Sequence, residues 1–418
     1  MPFPASLVAL QHRNFRLLWI GLLLSFSGSM MQNAALLWHV SLLVSPERKA
    51  LALGFVGLVR VAPIIVFSMV SGVVADAVDR RRVLFVTQSL AGVVALALYT
   101  YGGGAALWPI YALSAVGAAV SSFDLPARAA LVPTLVPREH LPNAITLNTI
   151  MFQTASVVGP AAAGLVIAGA GVGAAYLANA VSFGFVILAL LLMRNLPPAP
   201  VDSAGGSGEV SWAAAREGLR FVFSAPLIRS TMLLDFFATF FASATALLPI
   251  FAQDILHVGA RGYGWLFAAP AIGSFLTSLF MVAATARIRR RGPAILWSVV
   301  GHGVFTIVFG VSRSFWLTFA CLAAVGATDT VSTVLRNVIR QLETPDRLRG
   351  RMTGINMVFF TGGPQLGELE AGTVANSFGA PFSVITGGIG CLIATAWIAW
   401  HTPRLREYTA EQDTAMAS

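Results

Sequence analysis

Charge is scarce in this chain. Of its 418 residues only 11% are Asp, Glu, Lys or Arg, against about 25% in a soluble domain. Cysteine is scarcer still. Cys321 and Cys391 lie inside apolar runs, far apart in sequence, which argues against a disulfide framework or thiolate metal site and leaves them as small core residues. The six histidines form no ligand spacing, so no metal and no cofactor is expected. A Ser/His/Asp or Cys/His constellation is missing too, so the chain does not read as an enzyme.

What is present is apolar: 56% of residues are hydrophobic and the mean hydropathy is +0.77. Runs of about 20 residues, enough to cross a bilayer as helices, recur along almost the whole length. The first, 15–44, is too long for a signal peptide and has no cleavage pattern. Membrane strands would show short alternating segments instead. The expected fold class is an all-α membrane protein with twelve transmembrane helices: 15–44, 51–75, 83–101, 107–125, 143–170, 174–193, 227–251, 262–286, 293–311, 315–338, 352–378 and 382–401.

The net charge of +9 invites a nucleic-acid reading, but the arginines are confined to short loops between apolar runs, where they report topology. With both termini inside, only Arg48, Lys49, Arg261 and Arg313 fall outside and Arg60 falls within a span. The remainder of the 27 basic residues is cytoplasmic. That bias predicts a multi-pass protein of the cytoplasmic (inner) membrane with both termini in the cytoplasm.

Between the sixth and seventh spans lies NLPPAPVDSAGGSGEV, a flexible linker by its Pro, Gly and Ser. SWAAAREGLRFVF follows, with Trp212, Leu219 and Phe223 flanking Arg216 and Arg220, the pattern of a short interfacial helix. The expected organisation is an N-terminal half 1–194, a linker with its interfacial helix 195–224, a C-terminal half 225–403 and a tail 404–418. The halves also echo one another. Arg80-Arg81-Arg82 and Val116-Gly117-Ala118 recur at one common offset as Arg289-Arg290-Arg291 and Val325-Gly326-Ala327, and Pro137 and Asn148 have counterparts in Pro345 and Asn356. Duplicated six-helix units are a mark of secondary transporters, with the substrate site between them near the midplane.

The stretch GVVADAVDRRR, from Gly72 through Asp76 and Asp79 to Arg82, resembles the loop signature of the major facilitator superfamily, and the resemblance covers essentially the whole chain. The stretches AALLWHVSLL, GLVRVAPII, ADAVDRRRVLFVTQ, DLPARAALVPTLVPREHLPNAITLN and VVGPAAAGLVIAGAG are similar to its enterobactin-exporter-like branch, the transmembrane secretion effectors. The resemblance implies a monomeric exporter of siderophores, macrolides or other drugs, driven by the proton gradient.

It also implies roles for residues. Gly72, Asp76, Asp79, Arg80, Arg81, Arg82 and Asp124 would form a cytoplasmic gate, with Asp76 facing the start of the eleventh helix near Arg351 and Met352, and Asp124 pairing with Arg80 or Arg81. A carboxylate at a helix N-terminus is favoured by about 0.3–1 kcal/mol. The alternative is a topology anchor held by an anionic inner leaflet, which suits Arg289–Arg291, where Thr285 stands in place of the acid. Arg60 lies about 13 Å into the second helix at 1.5 Å per residue and needs a partner. The eleventh helix, packed against the second in this fold, offers Glu368 and Glu370, with Glu368 the expected interdomain partner. The pair reads either as a structural ion pair or as a proton-sensitive link.

Asp235 lies about 12 Å into the seventh helix among Leu233, Leu234, Phe236 and Phe237, on a helix that lines the central cavity in the family. Intramembrane acids are functional by default, which makes Asp235 the leading proton-coupling candidate, with Glu368, Glu370 and Asp329 beside it. Arg336 lies further along the tenth helix and would neutralise Asp329 in the plainer reading. Gly159, Pro160 and Gly164 partly match the superfamily's antiporter motif, or simply allow close helix packing. Gln32, Asn33, Trp38, His39, Phe236 and Phe240, with Met30, Met31 and Phe241, suit a cavity for amphipathic cargo.

The expected function is proton-coupled efflux of amphipathic small molecules by alternating access, with a small-molecule substrate, protons and membrane lipid as partners and no nucleic acid. The alternatives are a facilitator or importer on the same fold, or a non-transporting membrane protein such as a lipid scramblase or a sensor.

Overall fold

The computed structural model describes residues 5–410 apart from 103, 105, 195–211, 244, 286, 346 and 347. The regular structure among them is helical. In chain order the helices are α1 (Arg13–Leu43), α2 (Pro46–Ala77), α3 (Arg80–Tyr101), α4 (Trp108–Leu131), α5 (Leu141–Leu192), α6 (Trp212–Ser224), α7 (Pro226–Phe241), α8 (Gly259–Ala284), α9 (Arg291–Val311), α10 (Phe315–Glu343), α11 (Arg349–Phe378), α12 (Ala380–His401) and the short α13 (Pro403–Arg406). After α7 the chain continues through a short turn, Leu248–Ile250, into a π-helical stretch, Phe251–Ile255.

Ten of the described segments are long and apolar enough to cross a membrane. Two expected spans are joined in α5, where the backbone breaks at Gly171, with φ at +81°; only glycine adopts such an angle without strain. The segment α11 has the length to span, but Gly362, Gly363, Pro364, Glu368 and Glu370 dilute its apolar character, and it is not among the ten. Helix starts follow local chemistry. Asp79 caps α3 by accepting from the amide of Arg81 at 2.9 Å, and α4 and α7 carry proline in their first turn.

The chain divides into two compact units, residues 1–43 with 59–206 and 259–268, and residues 44–58 with 207–258 and 269–418. The boundaries do not follow chain order: the first part of α2 belongs to the second unit and the first part of α8 to the first. In the first unit Phe15, Leu18, Leu22, Leu84, Ala127, Leu147, Val186 and Leu190 form the apolar centre. In the second, Leu234, Ile295, Leu335, Ile339, Cys391, Ile398 and Leu405 do so, and Val222 of α6 packs with Ile228, Met232 and Met352. Large apolar side chains such as Trp297, Trp316, Phe280 and Trp400 are more than two-thirds exposed, the surface a lipid solvent requires.

Glycine brings backbones together inside each unit. In the first, a Cβ on Gly264 of α8 would stand 2.7 Å from Gly164 Cα of α5, and one on Gly159 would stand 2.5 Å from the Ser27 carbonyl of α1. In the second, a Cβ on Gly54 of α2 would stand 2.8 Å from the Glu368 carbonyl of α11. Such approaches are open only to residues without a side chain.

Candidate functional site

The densest charge cluster lies inside the second unit. Asp329, Arg336 and Arg340 follow one another at about two turns and one turn along α10, so they share a face. The Arg336 side chain is wholly buried, and its Nη2 lies 2.8 Å from Asp235 Oδ1 of α7, an ion pair. The same nitrogen lies 3.7 Å from Asp329 Oδ1 and donates to Thr333 Oγ1 at 2.9 Å. Arg340 approaches the other oxygen of Asp235 at 3.9 Å and donates to Asn337 and to Asn356 of α11. Asp235 is 2% exposed, whereas the side chain of Asp329 is 37% exposed. Two acids and two guanidinia therefore balance in charge, but Nε and Nη1 of Arg336 find no hydrogen-bond partner among the described residues. A buried charge is tolerated only when paired.

The structure thus joins Asp235 and Asp329, read separately in the sequence, through one arginine. The tenth apolar run ends at 338, but the helix continues to Glu343, and both Arg336 and Arg340 turn into the protein. The sequence signal for this is their spacing from Asp329.

A polar network occupies the first unit. Arg60 donates to Asn33 Oδ1 at 2.9 Å, Asn179 donates to Gln32 Oε1 at 2.8 Å, and His39 Nδ1 shares a hydrogen bond of 3.1 Å with the Tyr176 hydroxyl. The charge of Arg60 also reaches Tyr176. Trp38 lies 5.0 Å from the Tyr263 ring, and Tyr263 donates to the Ala34 carbonyl at 2.8 Å. Trp38 and His39 are buried, whereas Gln32 and Asn33 are half-buried, so the accessible part of the expected cavity set on α1 is the amide pair. Phe236 and Phe240 of α7, also half-buried, stack at 5.6 Å in the second unit. Glu368 and Glu370 are half-buried on α11; one turn before Arg60 on α2, a Cβ on Gly57 would meet Glu368 Oε2 at 2.9 Å.

Among the expected gate residues, Gly72 lies on α2 and the side chain of Asp76 lies outside the described residues, as does that of Arg351. Arg80 donates to the Ala130 carbonyl at 3.2 Å and Arg81 to the Leu190 carbonyl. Arg82 stands 4.0 Å from Asp79, both exposed. The expected pairing of Asp124 with Arg80 or Arg81 is not what is found. Asp124 pairs with Arg128, one turn further along α4, and accepts from Gln88 at 2.6 Å and Thr87 at 3.2 Å. The reason is local: the fourth apolar run ends at 125 but α4 continues to Leu131, which carries Arg128 onto the same face. Arg128 also lies over the Phe26 ring at 4.1 Å. Lys49, read from the sequence only as an outside charge, donates to Asp254 at 2.8 Å and to Gln253 at 3.2 Å.

The family model for the transmembrane secretion effector matches residues 4–418. The chain belongs to this family of the major facilitator superfamily. Curated relatives include enterobactin exporter EntS of Shigella boydii serotype 18 and of Escherichia coli O139:H28, each 28% identical over 385 residues, covering 91% of this chain and 88% of the relative. Among solved structures, a bacterial homolog of the human lysosomal transporter Spinster superposes with a TM-score of 0.73 at 13% identity, covering 95% of this chain and 99% of that one. The nucleoside transporter NupG superposes with a TM-score of 0.68 at 14% identity, covering 94% and 99%. This secretion effector is accordingly a multi-pass membrane transporter and not an enzyme, with the fold of its superfamily neighbours.

Proposed function

We propose that this secretion effector is a proton-coupled exporter of amphipathic, siderophore-like small molecules, working by alternating access as a monomer of twelve spans in two repeated halves, 1–194 and 225–403. Its setting is the inner membrane, with both termini, the linker 195–224 and the tail 404–418 in the cytoplasm. The observation that carries the proposal is the Asp235–Arg336 pair, sealed from solvent in the middle of a helix pack. When Asp235 takes a proton its charge vanishes, and the buried guanidinium is left with Asp329, 3.7 Å away, as its remaining carboxylate. The arginine then follows the charge, because an unpaired ion costs several kcal/mol in such surroundings. A proton on α7 thereby changes the hold of α10, a difference in contacts that can bias two states.

The remaining parts take supporting roles in this reading. Arg60 with Glu368, and Glu370 beside it, supply a second proton-sensitive link between the halves. Gly72, Asp76, Asp79, Arg80, Arg81, Arg82 and Asp124 form the cytoplasmic gate. Gly159, Pro160 and Gly164 allow the close approach that an antiporter's rocking requires. Gln32, Asn33, Phe236 and Phe240 offer amide and aromatic surface to cargo, with Trp38 and His39 backing them from within the packing. The enterobactin exporters among the relatives supply the substrate class.

The test is transport of enterobactin, as the probe, into inside-out proteoliposomes under an imposed pH gradient. Wild type accumulates it and Asp235→Asn does not, while substrate exchange without a gradient survives in both. Equal gradient-driven accumulation by the two would remove the coupling role. Gradient-independent equilibration by wild type would favour a facilitator.

A further inference from the structure

A cavity of about 470 Å³ opens in the first unit where α1 begins and α5 ends, lined by His12, Arg13, Asn14, Leu135 and Arg194. Its wall carries two guanidinia and no carboxylate. Arg13 Nη1 donates to the Leu192 carbonyl at 3.0 Å. The Asn14 side chain holds the backbone of Arg194 twice, donating to its carbonyl at 2.7 Å and accepting from its amide at 3.3 Å. His12 closes the wall, engaged with His140 at 2.8 Å. The acid of the neighbouring turn, Glu139, lies 3.9 Å from His140. Among the described residues neither Arg13 nor Arg194 pairs with a carboxylate. Two fixed positive charges therefore face one space, on a frame that hydrogen bonds hold in place.

The position of the cavity says what kind of anion suits it. The first part of α1 and the last part of α5 run side by side, close enough that a Cβ on Gly21 would stand 3.1 Å from Val186 Cα. Both are apolar spans, and the cavity lies where their apolar residues give way to charge, the level of the lipid headgroups. Within about three turns of it, Ile20 and Leu24 on α1 and Phe185, Leu188, Leu191 and Leu192 on α5 are exposed. Their spacing of mostly three or four residues lays them in stripes along the two helices. An anion with an apolar tail finds surface for both parts here; a free anion has no use for the stripes. The other sizeable cavity, about 390 Å³ in the second unit, is lined by Glu343 and Glu407 as well as Arg404, and its excess of carboxylate repels an anion.

We propose that this cavity is a binding site for the headgroup of an anionic phospholipid, with Arg13 and Arg194 holding the phosphate. Guanidinium suits the task because its planar fork donates to two phosphate oxygens at once. Asn14 is a positioning residue, since it touches the backbone of Arg194 and fixes where that arginine leaves the helix end. The acyl chains lie along the exposed apolar stripes of α1 and α5. A lipid bound in this way ties the first span of the unit to its last. The proposal needs the membrane setting of the chain and not the proton coupling proposed above.

The test is native mass spectrometry of the full-length protein in detergent, titrated with phosphatidylglycerol. The double variant Arg13→Gln with Arg194→Gln is expected to bind this lipid about tenfold or more weakly than wild type, because each arginine near an anionic headgroup adds to the affinity. The double variant Arg404→Gln with Arg406→Gln, which removes the same charge from the second unit, is expected to bind as wild type does. If the first double variant does not fold, Arg194→Gln alone, at an exposed position past the end of α5, carries the comparison, with a weakening of about threefold or more expected. Phosphatidylglycerol binding that is indifferent to these arginines overturns the proposal, and so does an equal loss in the second-unit variant, which would mark mere net charge. Inorganic phosphate, added as a competitor, is expected to leave most of the lipid bound; complete displacement by it would make the site one for free phosphate and overturn the lipid assignment. Failure of the coupled-transport reading shows elsewhere, as wild-type proteoliposomes indifferent to a pH gradient.

Discussion

One nitrogen of Arg336 serves two acids: Nη2 lies 2.8 Å from Asp235 and 3.7 Å from Asp329. The first acid is sealed and the second is open. The arginine is therefore a movable counter-charge whose preference depends on which carboxyl holds a proton.

Removing one partner of this buried pair is costly in a way that removing both is not. Asp235→Ala leaves Arg336 with only the more distant Asp329, 3.7 Å away, at an expected cost of up to about 3–5 kcal/mol. The double variant Asp235→Ala with Arg336→Met is expected to regain most of that stability, because both desolvated charges are gone, but not gradient-driven transport. Thermal unfolding in detergent, read beside transport, checks both halves of the expectation.

Asp79 and Asp124 are expected to behave differently. Asp79 is exposed and caps α3, so Asp79→Ala should cost about 0.5–2 kcal/mol. Asp124 neutralises the buried Arg128 and accepts from Gln88 and Thr87, so Asp124→Ala should cost about 3–5 kcal/mol. Unfolding of the two variants side by side would show the reverse order if the pairing of Asp124 were unimportant.

A side chain on Gly264 has nowhere to go, since its Cβ would stand 2.7 Å from the Gly164 backbone. Gly264→Val is expected to lose about 1–3 kcal/mol by overpacking. Gly171, where a Cβ would meet nothing within 4 Å, is limited instead by its backbone, with φ +81° and ψ 173°, a region essentially reserved for glycine, so Gly171→Asn and Gly171→Val should both be destabilising although neither meets a crowded neighbour. Expression and melting of the three variants test the distinction.

Acid should loosen the contact between His12 and His140 in the first unit. One ring of the His12–His140 pair donates to the other across 2.8 Å. Burial, aided by the charge of His140 and opposed by Glu139, holds the proton affinity of His12 below the ordinary histidine range. The fold therefore favours neutral His12, and the unfolded chain binds more protons near and below about pH 6.5. The stability this contact contributes is present above that pH and is lost as the pH falls. A melting temperature that declines from pH 8 to pH 5 in wild type should decline less in His12→Gln.

Much of the site is legible one residue at a time. Asp235 stands out because a charge amid leucine and phenylalanine is expensive in a membrane helix, and Arg60 does so for the same reason. Arg336 reads from the sequence only as a neutraliser of Asp329, so its closer pairing with Asp235 is hidden, and Arg340 does not stand out because basic residues near the end of a span are the ordinary signature of topology. The true partner of Asp124 is hidden because the apolar run that marks α4 stops before Arg128.

The chain alone determined that this is a many-helix membrane protein of a transporter family, because span length, apolar content and motif spacing are properties of a one-dimensional string read against bilayer thickness. Which charges meet was decided only in three dimensions. A partner is set by the face a residue presents and by the turn at which its helix stops, and a shift of one residue rotates a side chain by about 100°, enough to exchange one counter-charge for another.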